Sequence, residues 1–138
     1  MHERIELRTE LDLHTATLRS RQFALNAGLD ALASQRLATA VSELTRNVHK
    51  YADGQGWVSL RCVQQGAEQW VEVEVVDRGP GIEDLDRAMQ DHYSSSGTLG
   101  LGLPGVKRLV DQFTIASGEG QGTRVTVRMC CSGRKHRA

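Results

Sequence analysis

Glu43-Leu-Thr-Arg-Asn47, Asp77-Arg-Gly-Pro-Gly81 and Gly97-Thr-Leu-Gly-Leu-Gly102 follow one another in this order along the chain, and together they read as a nucleotide site. The first stretch sets a carboxylate and an amide one helical turn apart. The second ends an alternating strand on an acid beside glycines, where missing side chains let a ligand ring approach the backbone. The third is a loop of small residues just ahead of a helix, whose exposed N–H donors and dipole attract phosphate. Alone, each has an ordinary explanation: a solvated helix face, a strand exit built of common turn residues, and a flexible surface loop. It is the ordered set that carries the reading.

The chemistry of each stretch is specific. Glu43, Asn47 and Lys50 recur at i, i+4 and i+7, so one helix presents all three on one side. An asparagine amide oxygen is a hard ligand suited to Mg²⁺, which takes few protein ligands and completes its shell with water and phosphate oxygens. Glu43 could orient and deprotonate an attacking hydroxyl, and Lys50 could neutralise phosphate charge. Asp77 could accept an adenine amino hydrogen, with Gly79 and Gly81 leaving room for the ring. Gly122-Thr123, at the entry to the last strand, could bring the Thr123 hydroxyl to the base, or serve only as a hairpin turn. The pattern GxxxxGK[ST] is absent and no glycine-rich strand-to-helix turn opens the chain, which argues against a Walker loop and a Rossmann unit. His49 and His92 lie beside the first and third stretches without a second ligand at metal spacing and read as polar surface residues.

Hydrophobic period supplies the frame. Leu37, Val41, Leu44 and Val48 form an apolar stripe on a helix expected from about Asp30, its N-cap, to Tyr51. Residues 4 to 9 alternate weakly as an edge strand, and roughly 11 to 27 read as a first helix ending at Gly28. Val58, Leu60 and Cys62, then Val71, Val73 and Val75, alternate with polar residues as two strands of an antiparallel hairpin turning near Gln65-Gly66. Pro104 is expected to start a helix carrying Val106, Leu109 and Val110. Phe113-Thr-Ile115 and Val125, Val127 and Met129 complete the strands. The pattern predicts an antiparallel or mixed sheet with helices packed on one face.

With 138 residues the chain fits one domain. Its 17 basic and 17 acidic residues cancel, so no broad field exists for nucleic acid or anionic lipid, and neither is expected as a partner. Cys62, Cys130 and Cys131 are odd in number and lack CxxC spacing, pointing to a reducing cytosol rather than a disulfide framework or zinc site. No apolar run reaches the length of a membrane span and no signal peptide opens the chain, so a cytoplasmic protein is expected.

In these residues the chain resembles the GHKL superfamily of ATPases and kinases, with Glu43 to Ala52 similar to its N box, Asp77 to Gly81 to G1, Gly97 to Gly102 to G2, and Gly122-Thr123 closing the pattern. The run from Leu101 to Phe113, with Ser42-Glu-Leu44 and Tyr51-Ala52, looks most like the RsbT-type switch serine kinases of bacterial stress signalling. The resemblance implies an α/β (α+β two-layer) Bergerat ATP-binding fold, with one kinase domain over residues 1–132 and a basic, frayed tail over 133–138. It implies ATP and Mg²⁺ as cofactors, with Asn47 as metal ligand, Glu43 as base and Asp77 on adenine. Gly97, Thr98, Leu99, Gly100, Leu101 and Gly102 would close over the phosphates. It further implies a serine or threonine acceptor on a STAS-domain antagonist, and a PP2C-type phosphatase activated by binding. The alternative is an RsbW-like anti-sigma factor that sequesters a sigma factor. A third reading is an adaptor in which nucleotide only shapes a docking surface.

Overall fold

A computed structural model of the chain describes residues 2–52, 55–81, 89, 102–118 and 120–131. Its elements are β1 (His2–Leu7), α1 (Glu10–Asn26), α2 (Ala31–Tyr51), β2 (Gly56–Gln65), β3 (Glu68–Asp77), a helix at Gly102–Leu109 that we number α3, β4 (Gln112–Ser117) and β5 (Thr123–Cys130). The five strands form one sheet in the order β1-β2-β3-β5-β4. Every pairing in it is antiparallel, which resolves the expectation of a mixed or antiparallel sheet in favour of the latter.

Helix starts follow side-chain chemistry. Asp30 caps α2, its Oδ1 accepting the Ala33 N–H at 2.7 Å. Thr9 and Asp12 form a capping box at the start of α1, with Asp12 Oδ2 accepting the Thr9 N–H at 2.9 Å and the Arg8 N–H at 2.8 Å. Those bonds explain why β1 stops at Leu7: Arg8 and Thr9, expected in the strand, are spent on the helix cap. At the other boundary α3 begins at Gly102, two residues before Pro104.

The two faces of the sheet differ in kind. On one, Ile5, Val58, Val75 and Val125 stand side by side across four strands, with Ile115 at the edge. The next row holds Leu60, Val73, Val127 and Phe113. These rows pack against Leu37, Val41, Leu44 and Val48 of α2, Ala16, Phe23 and Ala24 of α1, and Leu103 and Val106 of α3 in a single core. Each such Val or Leu buried contributes about 1.5–3 kcal/mol relative to exposure. The opposite face is a lattice of charges. Glu72, 2% exposed, receives Arg61 Nε at 2.6 Å and Arg128 Nη2 at 2.6 Å, and Glu74 pairs with Arg124 at 3.2 Å. At its edge Trp57 lies under the guanidinium groups of Arg4 and Arg78. Among the described residues no helix is long and apolar enough to cross a membrane.

Candidate nucleotide site

Beyond the two apolar rows, the helix-facing side of the sheet ends in a row of different character: Leu7, Gly56, Asp77, Thr123 and Ser117, paired in turn across all five strands. Three adjacent polar side chains on the inner face of a sheet are unusual, because that face is otherwise buried against helices. All three are half-buried. Asp77 Oδ1 accepts the Gly79 N–H at 2.9 Å and the Thr123 N–H at 3.2 Å. Among the described residues Oδ2 takes no bond, and a carboxylate has the capacity to accept there. Thr123 Oγ1 lies 2.8 Å from Ser117 Oγ, which also donates to the Gly122 carbonyl at 3.0 Å.

The loops around Asp77 interlock through backbone that only glycine permits. Gly122 has φ +77° and Gly81 φ +84°, both in the left-handed region. A Cβ on Gly122 would run into the Asp77 carbonyl, and one on Gly81 into the Gly118 carbonyl. The Gly120 N–H closes the arrangement by donating to the Pro80 carbonyl at 2.7 Å. The second sequence stretch and Gly122-Thr123, 40-odd residues apart in the chain, are thereby one structure.

Helix α2 carries the first stretch and is tied to the same end of the sheet. Just after it, the Gln55 N–H donates to the Ala52 carbonyl at 2.9 Å, and the Gln55 carbonyl accepts the Arg78 N–H at 2.9 Å. Val48 packs directly on Gly56, the neighbour of Asp77 in the polar row. Along α2, Glu43 and Asn47 are half-buried and Lys50 is exposed, so the trio runs from the protein body to solvent. Glu43, with its side chain 14% exposed, is held by Arg46 Nη1 at 3.2 Å. Gly102 opens α3 with φ +69°, and α3 packs on α2. Gly97, Thr98, Leu99, Gly100 and Leu101 lie outside the described residues, as do His92 and the 133–138 tail.

Two contributors were missed in the sequence. Arg46 sits three residues after Glu43, a spacing at which an ion pair is expected on a helix. Ser117 follows Phe113 and Ile115 in alternation, the one signal that it faces inward.

The arrangement offers a half-buried acceptor pair at a sheet end, close-packed glycine loops beside it, and a helix bearing a carboxylate, an amide and an ammonium. Residues 33–132 match the family of histidine kinase-, DNA gyrase B- and HSP90-like ATPases. The chain belongs to that family. As a member of it, the chain uses ATP. It is 39% identical over 121 residues to the serine/threonine-protein kinase RsbT of Bacillus subtilis, covering 88% of this chain and 90% of that one. It is 34% identical over 109 residues to an anti-sigma F factor of Clostridium kluyveri, 75% of this chain and 74% of the other. Among solved structures, this HATPase-type chain superposes on the RsbU and RsbW domains of Rv1364c from Mycobacterium tuberculosis with a TM-score of 0.66 at 23% identity, covering 94% of this chain and 31% of that one. The mycobacterial sensor histidine kinase MprB gives a TM-score of 0.57 at 22% identity over 94% of this chain and 97% of its own, a likeness of fold. The family and these neighbours bear out the α/β, GHKL-type fold.

Proposed function

We propose that this protein is a partner-switching serine/threonine kinase that transfers the γ-phosphoryl group of ATP to a hydroxyl on a STAS-domain antagonist protein. The observation that carries this reading is the 39% identity to a serine/threonine-protein kinase along nearly the whole chain, with Glu43, Asn47, Asp77, Gly79, Gly81 and Thr123 on elements joined at one end of the sheet. The family match reaches residue 132, which supports one kinase domain over 1–132.

In this reading the adenine amino group donates to Asp77 Oδ2, beside the two bonds already on Oδ1, and Thr123 flanks the base. Gly79 leaves space for the ring while Gly81 seats its loop against the Gly118 carbonyl, and Gly97, Thr98, Leu99, Gly100, Leu101 and Gly102 would close over the phosphates. Asn47 fits Mg²⁺ by its donor chemistry, a neutral hard oxygen on a half-buried turn of helix. When bound, the ion would neutralise charge on the phosphate oxygens. Glu43 accepts the acceptor hydroxyl's proton as the new O–P bond forms and the bond from phosphorus to the bridging oxygen of ADP breaks. Arg46 pairs with that carboxylate. Lys50, at the exposed end of the trio, offsets phosphate charge.

The test incubates the protein with labelled ATP, Mg²⁺ and the STAS-domain proteins of the same organism. Label should appear on one serine or threonine, should vanish with Asn47→Ala, and should vanish with Glu43→Ala while ATP binding persists. Transfer at the wild-type rate by Glu43→Ala would remove Glu43 as base.

The anti-sigma F relatives favour a second reading, an anti-sigma factor that sequesters a sigma factor and phosphorylates its own antagonist. Stoichiometric co-purification with a sigma factor would select it. Binding and activation of a PP2C-type phosphatase instead would select the RsbT-like branch.

A further inference from the structure

We infer that Ser117 is a positioning residue for the nucleotide base, acting by fixing the Thr123 hydroxyl as a hydrogen-bond acceptor. The inference rests on the reading of the polar row as the adenine site and deepens it.

A serine hydroxyl has one proton to give. Ser117 Oγ lies 3.0 Å from the Gly122 carbonyl oxygen, which can only accept, so the serine proton is engaged there. The 2.8 Å contact between Ser117 Oγ and Thr123 Oγ1 is then donated by Thr123. The threonine proton therefore points along the sheet toward β4, and Thr123 Oγ1 meets anything else with lone pairs alone. Its own N–H is already given to Asp77 Oδ1 at 3.2 Å. Asp77 and Thr123, opposite one another in the β3–β5 register, thus form a matched pair of acceptors. A ligand edge with N–H donors satisfies that pair, directly or through one ordered water, and the exocyclic amino group of adenine is such a donor.

The same three bonds tie the pair to Gly122 and the residues around it. Gly122, whose carbonyl takes the Ser117 proton, sits against the Asp77 carbonyl, and Gly120 is bonded to Pro80. Ser117 therefore sets both the direction of the Thr123 proton and the seat of the turn beside Asp77. Without its hydroxyl, Thr123 Oγ1–H loses its acceptor and turns toward the site, where a donor facing an N–H edge is mismatched.

A double-mutant cycle read by the calorimetric dissociation constant of ADP tests this without phosphoryl transfer intervening. Ser117→Ala should weaken ADP binding about fivefold, the value of one ordinary hydrogen bond, and Ser117→Thr should restore it. Thr123→Val should also weaken binding, and adding Ser117→Ala to Thr123→Val should change it by less than twofold. Equal losses from Ser117→Ala in both backgrounds would overturn the inference, because Ser117 would then act independently of the Thr123 hydroxyl. So would an unchanged constant for Ser117→Ala in the wild-type background. Should Ser117→Ala not fold, Ser117→Cys, which keeps the volume and weakens the donor, runs the same cycle. No effect of Thr123→Val, or no ADP binding by the wild-type protein, would instead overturn the adenine reading of the row.

Discussion

A methyl group at position 122 would have to occupy the space now held by the Asp77 carbonyl, on a backbone whose φ of +77° already excludes most side chains. Gly122→Ala is accordingly expected to lower stability by about 2 kcal/mol in urea denaturation and to weaken nucleotide binding by pushing Thr123 away from Asp77. A cysteine gives a second residue-level expectation. Burial, and to a lesser degree the neighbouring Cys62 and Cys130, push the Cys131 thiol up to about 11. Since the thiolate is the reactive form, Cys131 should alkylate with iodoacetamide far more slowly at pH 8 than a free thiol, as peptide mass mapping over time would report. At this scale the sequence was informative where chemistry and turn propensity coincide: Asp77 precedes a Gly-Pro-Gly run, and Thr123 follows Gly122. Ser117 carried only its alternation with Phe113 and Ile115, a signal that a serine in a turn before Gly118 would share. Only its register opposite Thr123 gives it a role.

Helix α2 is the element on which the proposed chemistry depends, because one apolar stripe holds it to the core while its other side carries Glu43, Asn47 and Lys50. Its start rests on Asp30, and Asp30→Ala should cost about 1 kcal/mol, measured by chemical denaturation. Its far end is fixed by Val48 on Gly56 and by the chain of bonds from Ala52 through Gln55 to Arg78, so frayed capping at Asp30 should leave ADP affinity little changed. The stripe and the cap were readable from spacing because α2 is long and strongly periodic. Element ends were harder. β1 runs from His2 to Leu7 and not over 4 to 9: the Thr9-x-x-Asp12 box ends it two residues early, since a side chain three residues ahead decided the fate of Arg8 and Thr9. The pairing of β3 with β5 joins segments about 50 residues apart, and no local signal encodes that neighbour.

The whole molecule is a sheet with two unlike faces, and the face away from the core carries a pH-dependent part of its stability. Glu72 stands on the central strand β3, is 2% exposed and holds two guanidinium groups, Arg61 from β2 and Arg128 from β5. Burial by itself would push its carboxyl upward. The hydrogen bonds from Arg61 and Arg128 and their charges outweigh that, and the carboxyl is held below its ordinary range. A carboxyl depressed in the folded state contributes stability above its unfolded pKa and loses it as pH falls through the folded value. Near neutral pH, Glu72→Gln should therefore destabilise the protein by about 2 kcal/mol, moderated by the solvent that reaches Arg61, 52% exposed, and Arg128, 27% exposed. Lowering the pH from about 5 should shrink the difference between the two proteins, because the wild-type carboxyl then takes up a proton that the amide cannot. Asp12, lowered chiefly by its bonds from the Arg8 and Thr9 N–H groups, titrates identically in both proteins and cancels from that difference. Thermal melting of the pair at several pH values reads the effect directly. A difference that stays constant down to about pH 3 would mean that the Arg61–Glu72–Arg128 bridge contributes through packing and not through charge.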